Sequence, residues 1–527
     1  MHRPLVTLCM IARDEASILG RCLDAAAPYV DDIVLVDTGS TDGTADLAAA
    51  RGALVAREPW RDDFSAARNA ALERATGRYV LVLDADEWIA SGPSPEEFRD
   101  RLRRSDEEAL TVLVDDRLDG GASRRYPLVR LFRNRPEHRY AGSVHEQITP
   151  AIARRLGRAL VEPPASGLVV AHDGYQRARR IERGKAERNL TMLRRAVADA
   201  AEPAAQRYFL ARELVPLVGG RAVPGLHLVE GIDHLNVLAL DAGALPPALA
   251  ADAARLHAAA LLAAGRPLEA AAALERRGDR GVACDLLRAD AALACAAGNP
   301  EAAGEALRLV TGCFDRATGE GEWCIEPSLA GAIARARAAE ALLVLARVAE
   351  ARAMVEAAAR LPGGGAAPSI ARAAIERSLG DWAAALRAYA AGLDADPLDP
   401  WAWAGAGEVL LEAGRPADAL PPLRQAALIA PGWDRVDEAL GAALLLVGRP
   451  EDARDQFASG PGASGPGAQA ALFLAGAVLG SGAPLARLHQ DAPDSARRIL
   501  GRVASAGRPD LLQRLASGLS ALRAQGA

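Results

Sequence analysis

Two grammars of apolar and polar positions divide the chain. Up to about residue 175, short apolar runs alternate with helical patterns. LVTLCMIA (5–12), DIVLVDT (32–38), ALVARE (53–58) and RYVLVLDADE (78–87) read as strands, and the last has the unbroken apolar run of a strand covered on both faces. Between them EASILGRCLDAAAPY, TDGTADLAAARG and FSAARNAALERATG carry helical periodicity, and Gly52 suits a helix C-cap. The order β-α-β-α-β-α-β predicts an α/β domain with a mainly parallel, Rossmann-like sheet. LTVLVDD, YPLVRLFR and GLVVAHDGY are further strands, expected to form a mixed edge of that sheet.

From about residue 176 strands vanish and alanine- and leucine-rich helices take over. GDWAAALRAYAAGL, GRPADALPPLRQAAL and GRPEDARDQFASG begin at Gly380, Gly414 and Gly448, a stride of 34 residues, and ARVAEARAMVEAA at Ala346 lies one stride earlier. GRPLEAAAAL at Gly265 precedes GNPEAAGEAL at Gly298 by 33. That period, with a small residue at each turn, is similar to tetratricopeptide repeats, in which each helix hairpin hides its apolar face by stacking on the next. PGGGAAP (362–368) and GPGASGPG (460–467) are expected loops or interruptions in the stack. The organisation expected is 1–175 for the α/β domain, 176–260 for a helical connector and 261–527 for the all-α solenoid.

Length and charge narrow the function. A chain of 527 residues exceeds one ordinary core. Its net charge of −6, with acids and bases interspersed, gives neither a nucleic-acid footprint nor a polybasic membrane anchor. Six cysteines without a C-x-x-C pair read as reduced core residues. MHRPLVTLCMIARDE is too short an apolar stretch for a secretory signal or a spanning helix, so a cytoplasmic location is expected.

The chemistry concentrates where apolar runs end. Tyr79 to Leu83 runs straight into Asp84, Asp86 and Glu87. Carboxylates crowded at a strand end are stable only when solvated or matched by a cation, and parallel sheets place ligands at that edge. MIARDEAS after the first strand and VDTGSTDGT after the second should converge on DADEW after the fourth, which makes Asp37, Asp84 and Asp86 neighbours. A nucleotide-and-metal site accounts for three acids at three converging ends. An isolated D-x-D would be no more than a solvated acidic turn.

IARDEAS, VLVDTGSTDGT, WRDDFSAARNAAL, VLDADEW, RLFRNRPEHRYAGSVHEQI and AHDGY, in that order, resemble the family 2 glycosyltransferases of GT-A fold, in the branch with C-terminal tetratricopeptide repeats. The resemblance implies a bacterial-type hexosyltransferase that moves a sugar from a nucleotide-sugar donor, commonly UDP-linked, with inversion at the anomeric carbon. It implies Mn²⁺ or Mg²⁺ as cofactor. Carried over residue by residue, Arg13, Asp14, Glu15, Asp37, Arg68, Asn69 and Asp84 fall at donor-binding positions. Asp86, with Asp84 and His172, falls at the metal. Glu146 is the candidate base and His145 its rival, because the acid pair usual in this region of the family is missing. The acceptor class implied is a peptide, protein or glycan, with a protein partner on the repeats as a further expectation.

Plainer roles exist for other residues. Asp63 suits a helix N-cap ahead of FSAARN. RLFRNRPEHRY suits a strand with a solvated face, and Trp88 suits either the core or the floor of a sugar site. A dehalogenase-type phosphatase would need Thr where Trp88 stands, and the glycine-rich phosphate loops of NTPases and dinucleotide enzymes are absent. The alternative from a different class is a repeat scaffold whose first domain binds a nucleotide sugar without turning it over.

Overall fold

The computed structural model describes residues 4–117, 123–158, 163–172, 185–199, 204–218, 220–241, 243, 245–277, 281–314, 316, 327–361, 364–459, 463, 465–479 and 492–525. The chain divides into two compact units, Met1–Glu213 and Leu214–Ala527.

The first unit is built on eight strands, β1 Val6–Ala12, β2 Asp32–Asp37, β3 Leu54–Arg57, β4 Tyr79–Val82, β5 Glu87–Ser91, β6 Ala109–Arg117, β7 Ser123–Arg133 and β8 Ala165–His172. They lie in the order β3-β2-β1-β4-β7-β6-β8-β5. Pairings β1–β2, β1–β4, β2–β3 and β6–β8 are parallel, whereas β4–β7, β6–β7 and β5–β8 are antiparallel. The three later strands therefore form the interior of the second half of the sheet, not its edge. The edge is β5, a strand that RYVLVLDADE did not announce: the apolar run stops at Val82, four residues turn, and a new strand starts at Glu87.

Alternation along the inner strands explains why the sheet is apolar throughout. Val6, Leu8, Met10, Leu35, Tyr79 and Leu81 point into one cluster with Leu19 and Leu23 of α1 (Ala16–Ala26) and Phe98 of α4 (Pro95–Arg104). Their neighbours Cys9, Val34, Val36, Val80 and Val82 point into a second cluster with Ala71 and Leu72 of α3 (Phe64–Arg74) and Ile152 of α5 (Thr149–Leu156). Both faces are covered, as a parallel sheet requires. Between β2 and β3 runs α2 (Thr44–Ala50), and α6 (Lys185–Asp199) and α7 (Ala204–Leu214) follow β8. Asp63 caps α3, its Oδ1 accepting from the Ala66 amide at 3.0 Å.

Strand order and chain length together force curvature. β4 and β5 are neighbours in sequence yet four places apart in the sheet. Four steps of roughly 4.8 Å make about 19 Å, whereas the four linking residues, even fully extended, reach about 17 Å. The sheet must curl so that β5 returns toward β4. The turn 83–86 spans the mouth of that curl.

The second unit is helical apart from a two-residue pair, Leu217–Val218 with Arg221–Ala222, which is a small departure from the strand-free expectation. Helices Val348–Ala359, Trp382–Ala395, Pro416–Ile429 and Pro450–Ser459 start 34 residues apart, each preceded by a partner helix. Burial is serial: Ala336 to Ile375 form one cluster, Ala373 to Val409 the next, and Leu410 to Leu515 another. That is the nearest-neighbour packing of a tetratricopeptide-like solenoid. Within PGGGAAP a helix begins at Ala367, and within GPGASGPG one begins at Pro466; residues 362, 363, 460–462 and 464 lie outside the described set. No described helix is long and apolar enough to cross a membrane.

Candidate functional site

Register brings the strand ends together. Ala12 pairs with Asp37 and Cys9 with Val82, so the turn after β4 stands level with the ends of β1 and β2. The turn is held by its own backbone and by α3: the Asp84 amide donates to Glu87 Oε2 at 2.9 Å, and Arg68 Nη2 donates to Asp84 Oδ1 at 2.7 Å. Arg130 of β7 reaches Asp84 Oδ2 at 3.1 Å and Glu87 Oε1 at 2.7 Å. Arg68 Nε also bonds Glu146.

This network sets protonation. Burial acts to raise the Asp84 pKa, but the Arg68 and Arg130 guanidiniums outweigh it and hold the carboxyl below its usual range. For Glu87 burial prevails over Arg130, with Asp84 adding repulsion, and the pKa rises. Tyr140, buried beneath Arg68 with its ring 5.6 Å away, is pushed up to about 12, by burial first.

Asp86 faces another way. Its Oδ1 stands 3.6 Å from Nε2 of His172, whose Nδ1 lies 2.8 Å from Oδ1 of the fully buried Asp116. Strand pairing explains the meeting, since His172 of β8 is in register with Asp116 of β6 and with Glu87 of β5. Burial alone would lower the His172 pKa; Asp116 and Asp86 raise it to about 11. A carboxylate on one ring nitrogen, with the other nitrogen aimed at a second carboxylate, is the arrangement by which proteins orient a metal-ligating imidazole. Among the described residues no group of three or more His, Cys, Asp or Glu could hold an ion, so substrate oxygens would complete a coordination shell begun by Asp86 and His172. Both oxygens of Asp84 are taken by arginines. Residues 173–175 of AHDGY lie outside the described set.

Asp14, with φ 53, accepts from the Thr41 amide at 2.7 Å, and its own amide donates to Ser40 Oγ at 3.0 Å. Asp37 Oδ1 accepts from the amides of Ser40 at 2.8 Å and Gly39 at 3.2 Å, and the Glu15 amide donates to Thr44 Oγ1 at 2.8 Å. These bonds clasp the two loops into one wall, from which the exposed Arg13 side chain projects. Asn69 bonds the backbone of Tyr140 from both ends of its amide, at 2.8 and 3.0 Å. The loop carrying His145 and Glu146 is fastened to α3, where the Phe64 amide donates to the Ser143 carbonyl at 2.9 Å.

Arg130, Asp116 and Glu87 have places in the site that the sequence reading did not assign. Arg130 corrects the solvated-face reading of RLFRNRPEHRY, since its side chain is 13% exposed and turned onto two carboxylates. The available signal was its position two residues before buried Phe132 on an alternating strand. Trp88 lies under Arg21, the guanidinium carbon 3.4 Å from its ring centroid.

An α/β sheet curled around an acidic turn, with loops of β1 and β2 forming one wall, defines a GT-A-type domain, here followed by a tetratricopeptide-like solenoid. The model of glycosyl transferase family 2 matches residues 7–156. Over 206 residues the chain is 40% identical to a TPR repeat-containing protein of Synechococcus elongatus, covering 38% of this chain and 49% of that protein. It is 24% identical over 214 residues to the SPbeta prophage-derived glycosyltransferase SunS of Bacillus subtilis, covering 40% and 49%. An uncharacterised glycosyltransferase of Mycobacterium bovis is 32% identical over 177 residues, 32% of this chain and 74% of that one. The chain belongs to glycosyl transferase family 2. It spans about half the length of the first two of these relatives.

Proposed function

We propose that the protein is a metal-dependent, inverting glycosyltransferase that moves a sugar from a nucleotide-sugar donor, a UDP-sugar first, to a peptide, protein or glycan acceptor recruited by the repeat unit. The observation that carries this reading is the Asp86–His172 pair at 3.6 Å, backed by Asp116, at the mouth where three strand ends meet. Family membership supports it. The donor's nucleoside would lie on the wall of Arg13, Asp14, Glu15 and Asp37, with Arg68 and Asn69 beneath and Asp84 facing ribose or water. Asp86 and His172 would hold Mn²⁺ or Mg²⁺, which when bound neutralises the leaving diphosphate. Arg68 and Arg130 hold Asp84 ionised and fixed. Glu146 and His145 are the candidates for the acceptor's proton. The transferase domain is assigned to 1–175, the connector to 176–260 and the repeats to 261–527, in a cytoplasmic enzyme.

Thermal-shift and calorimetric titration with UDP-, GDP-, dTDP- and CDP-sugars, each with Mn²⁺, Mg²⁺ or EDTA, tests this, followed by nucleotide release on any donor that binds. One donor should stabilise the protein in a metal-dependent way, by roughly 2.7 kcal/mol at 100 times its Kd. Asp86→Ala should abolish the metal dependence and the turnover. Unchanged turnover in that variant removes the site assignment. Binding without turnover in the wild type would favour the scaffold reading.

A further inference from the structure

The two candidate bases sit in different surroundings. Glu146 is bonded to Arg68, and its side chain is 12% exposed. Protonating a carboxylate so placed removes the partner of a buried guanidinium, which makes Glu146 a weak base. His145 has no arginine upon it. Its backbone is left-handed, φ 54, a conformation rare outside glycine that the surroundings must sustain. They do so through the ring, which stacks on Phe209 at a centroid distance of 4.7 Å and an interplanar angle of 24°. Nε2 is buried and stands 3.4 Å from Oε1 of Glu213, a side chain 9% exposed, whereas the His145 side chain as a whole keeps 31%. Phe209 and Glu213 are one turn apart on α7, so one helical face supplies both contacts. Neither was part of any motif in the sequence.

We propose that Glu213 is the positioning residue of a His145–Glu213 dyad that takes the acceptor's proton. The proposal rests on the transferase reading above. Glu213 accepts from Nε2–H and thereby fixes the tautomer whose lone pair is on Nδ1; Phe209 fixes the plane of the ring. The 3.4 Å separation is that of a catalytic contact which tightens when substrate is bound. In the transfer, the acceptor's hydroxyl oxygen or thiol sulfur forms a bond to the anomeric carbon of the nucleotide sugar. The bond from that carbon to the diphosphate oxygen breaks, its electron pair leaving on the diphosphate, and the acceptor's proton passes to Nδ1. Glu213 stays ionised and stabilises the imidazolium so formed.

The test uses the full chain. Long-range ¹H–¹⁵N spectra of the histidine rings, with His145 assigned from the signal lost in H145Q, report tautomer and titration directly. The expected result is the Nε2–H tautomer in the wild type and a midpoint that falls by about one pH unit in E213Q, with E213D restoring it. An Nδ1–H tautomer, or a midpoint that E213Q leaves in place, overturns the dyad. In nucleotide release from the donor panel, E213Q should lower kcat at least about tenfold with the donor KM within about twofold, and equal kcat would overturn the role as base. A wild type that neither binds UDP with Mn²⁺ nor releases it from any donor overturns the transferase reading, a failure the ring spectra do not share.

Discussion

Arg68 holds the site from beneath, because one buried guanidinium serves both Asp84 and Glu146, residues 16 and 78 positions away. Its own pKa is driven upward although burial opposes it, since Asp84 and Glu146 outweigh the desolvation, so the charge is permanent. Truncating one partner of a buried ion pair costs more than the pair is worth, because the remaining charges stay buried. Arg68→Ala should therefore cost about 3 kcal/mol, read as lost hydrogen-exchange protection in β4 and α3. Arg68→Lys should recover little, since an ammonium cannot serve two carboxylates in the geometry of a planar fork. At this scale the sequence was legible only where a residue contradicted its surroundings. Asp84 and Asp86 stood out because acids ended an apolar run. Arg130 and Asp116 looked like charges on strand surfaces until the pairing of β4, β6, β7 and β8 was known. Glu213 and Phe209 gave no signal, because their function comes from a helix face that packs against a loop more than 60 residues earlier.

Elements were more legible than contacts, and the repeats most of all. A stride of 34 residues recurs because each hairpin needs the same left-handed turn before its second helix. Gly380, Gly414 and Gly448 make that turn with φ 76, 71 and 79. One stride earlier the position is Ala346, which adopts φ 58 with a Cβ in place. An L-residue pays about 1 kcal/mol for that conformation. Ala346→Gly should thus raise the melting temperature of the repeat unit, and Ala346→Val should lower it, as followed by circular dichroism. The strand expected through residue 87 failed for a physical reason. Asp84 and Asp86 have no place in a ladder covered on both faces, so the chain leaves the sheet at Val82 and returns at its far edge.

Across the whole molecule, acidity acts on the repeat unit through two buried groups with opposite signs. Asp437, 6% exposed and with Oδ2 lacking a hydrogen-bond partner, has its pKa raised to about 8 by burial, and then by Asp434 and Glu438. The unfolded chain ionises there near pH 4 (about 3.9), so the folded unit binds the extra proton and loses stability as pH rises from about 4 to about 8. His257 is held neutral down to about 4, by burial and then by Arg276 and Arg266, so its contribution is lost as pH falls from about 6.5. Between about pH 6.5 and 8 only Asp437 of the two acts, at roughly 1.4 kcal/mol per unit. Melting curves across that window should fall for the wild type and flatten for Asp437→Asn, with the two converging below about pH 4.

The four-residue link between β4 and β5 makes the acidic turn a measure of whether the sheet is complete. Asp84 and Asp86 are delivered early in the chain, but His172 and Asp116 reach them only after β6, β7 and β8 have paired and β5 has zipped to β8. No subset of the strands assembles the site. These are the pairings of greatest sequence separation, the slowest kind to form. A nascent or partly folded chain consequently has no competent centre with which to consume an activated sugar, and the chemistry is switched on by the last step of folding rather than by any later signal.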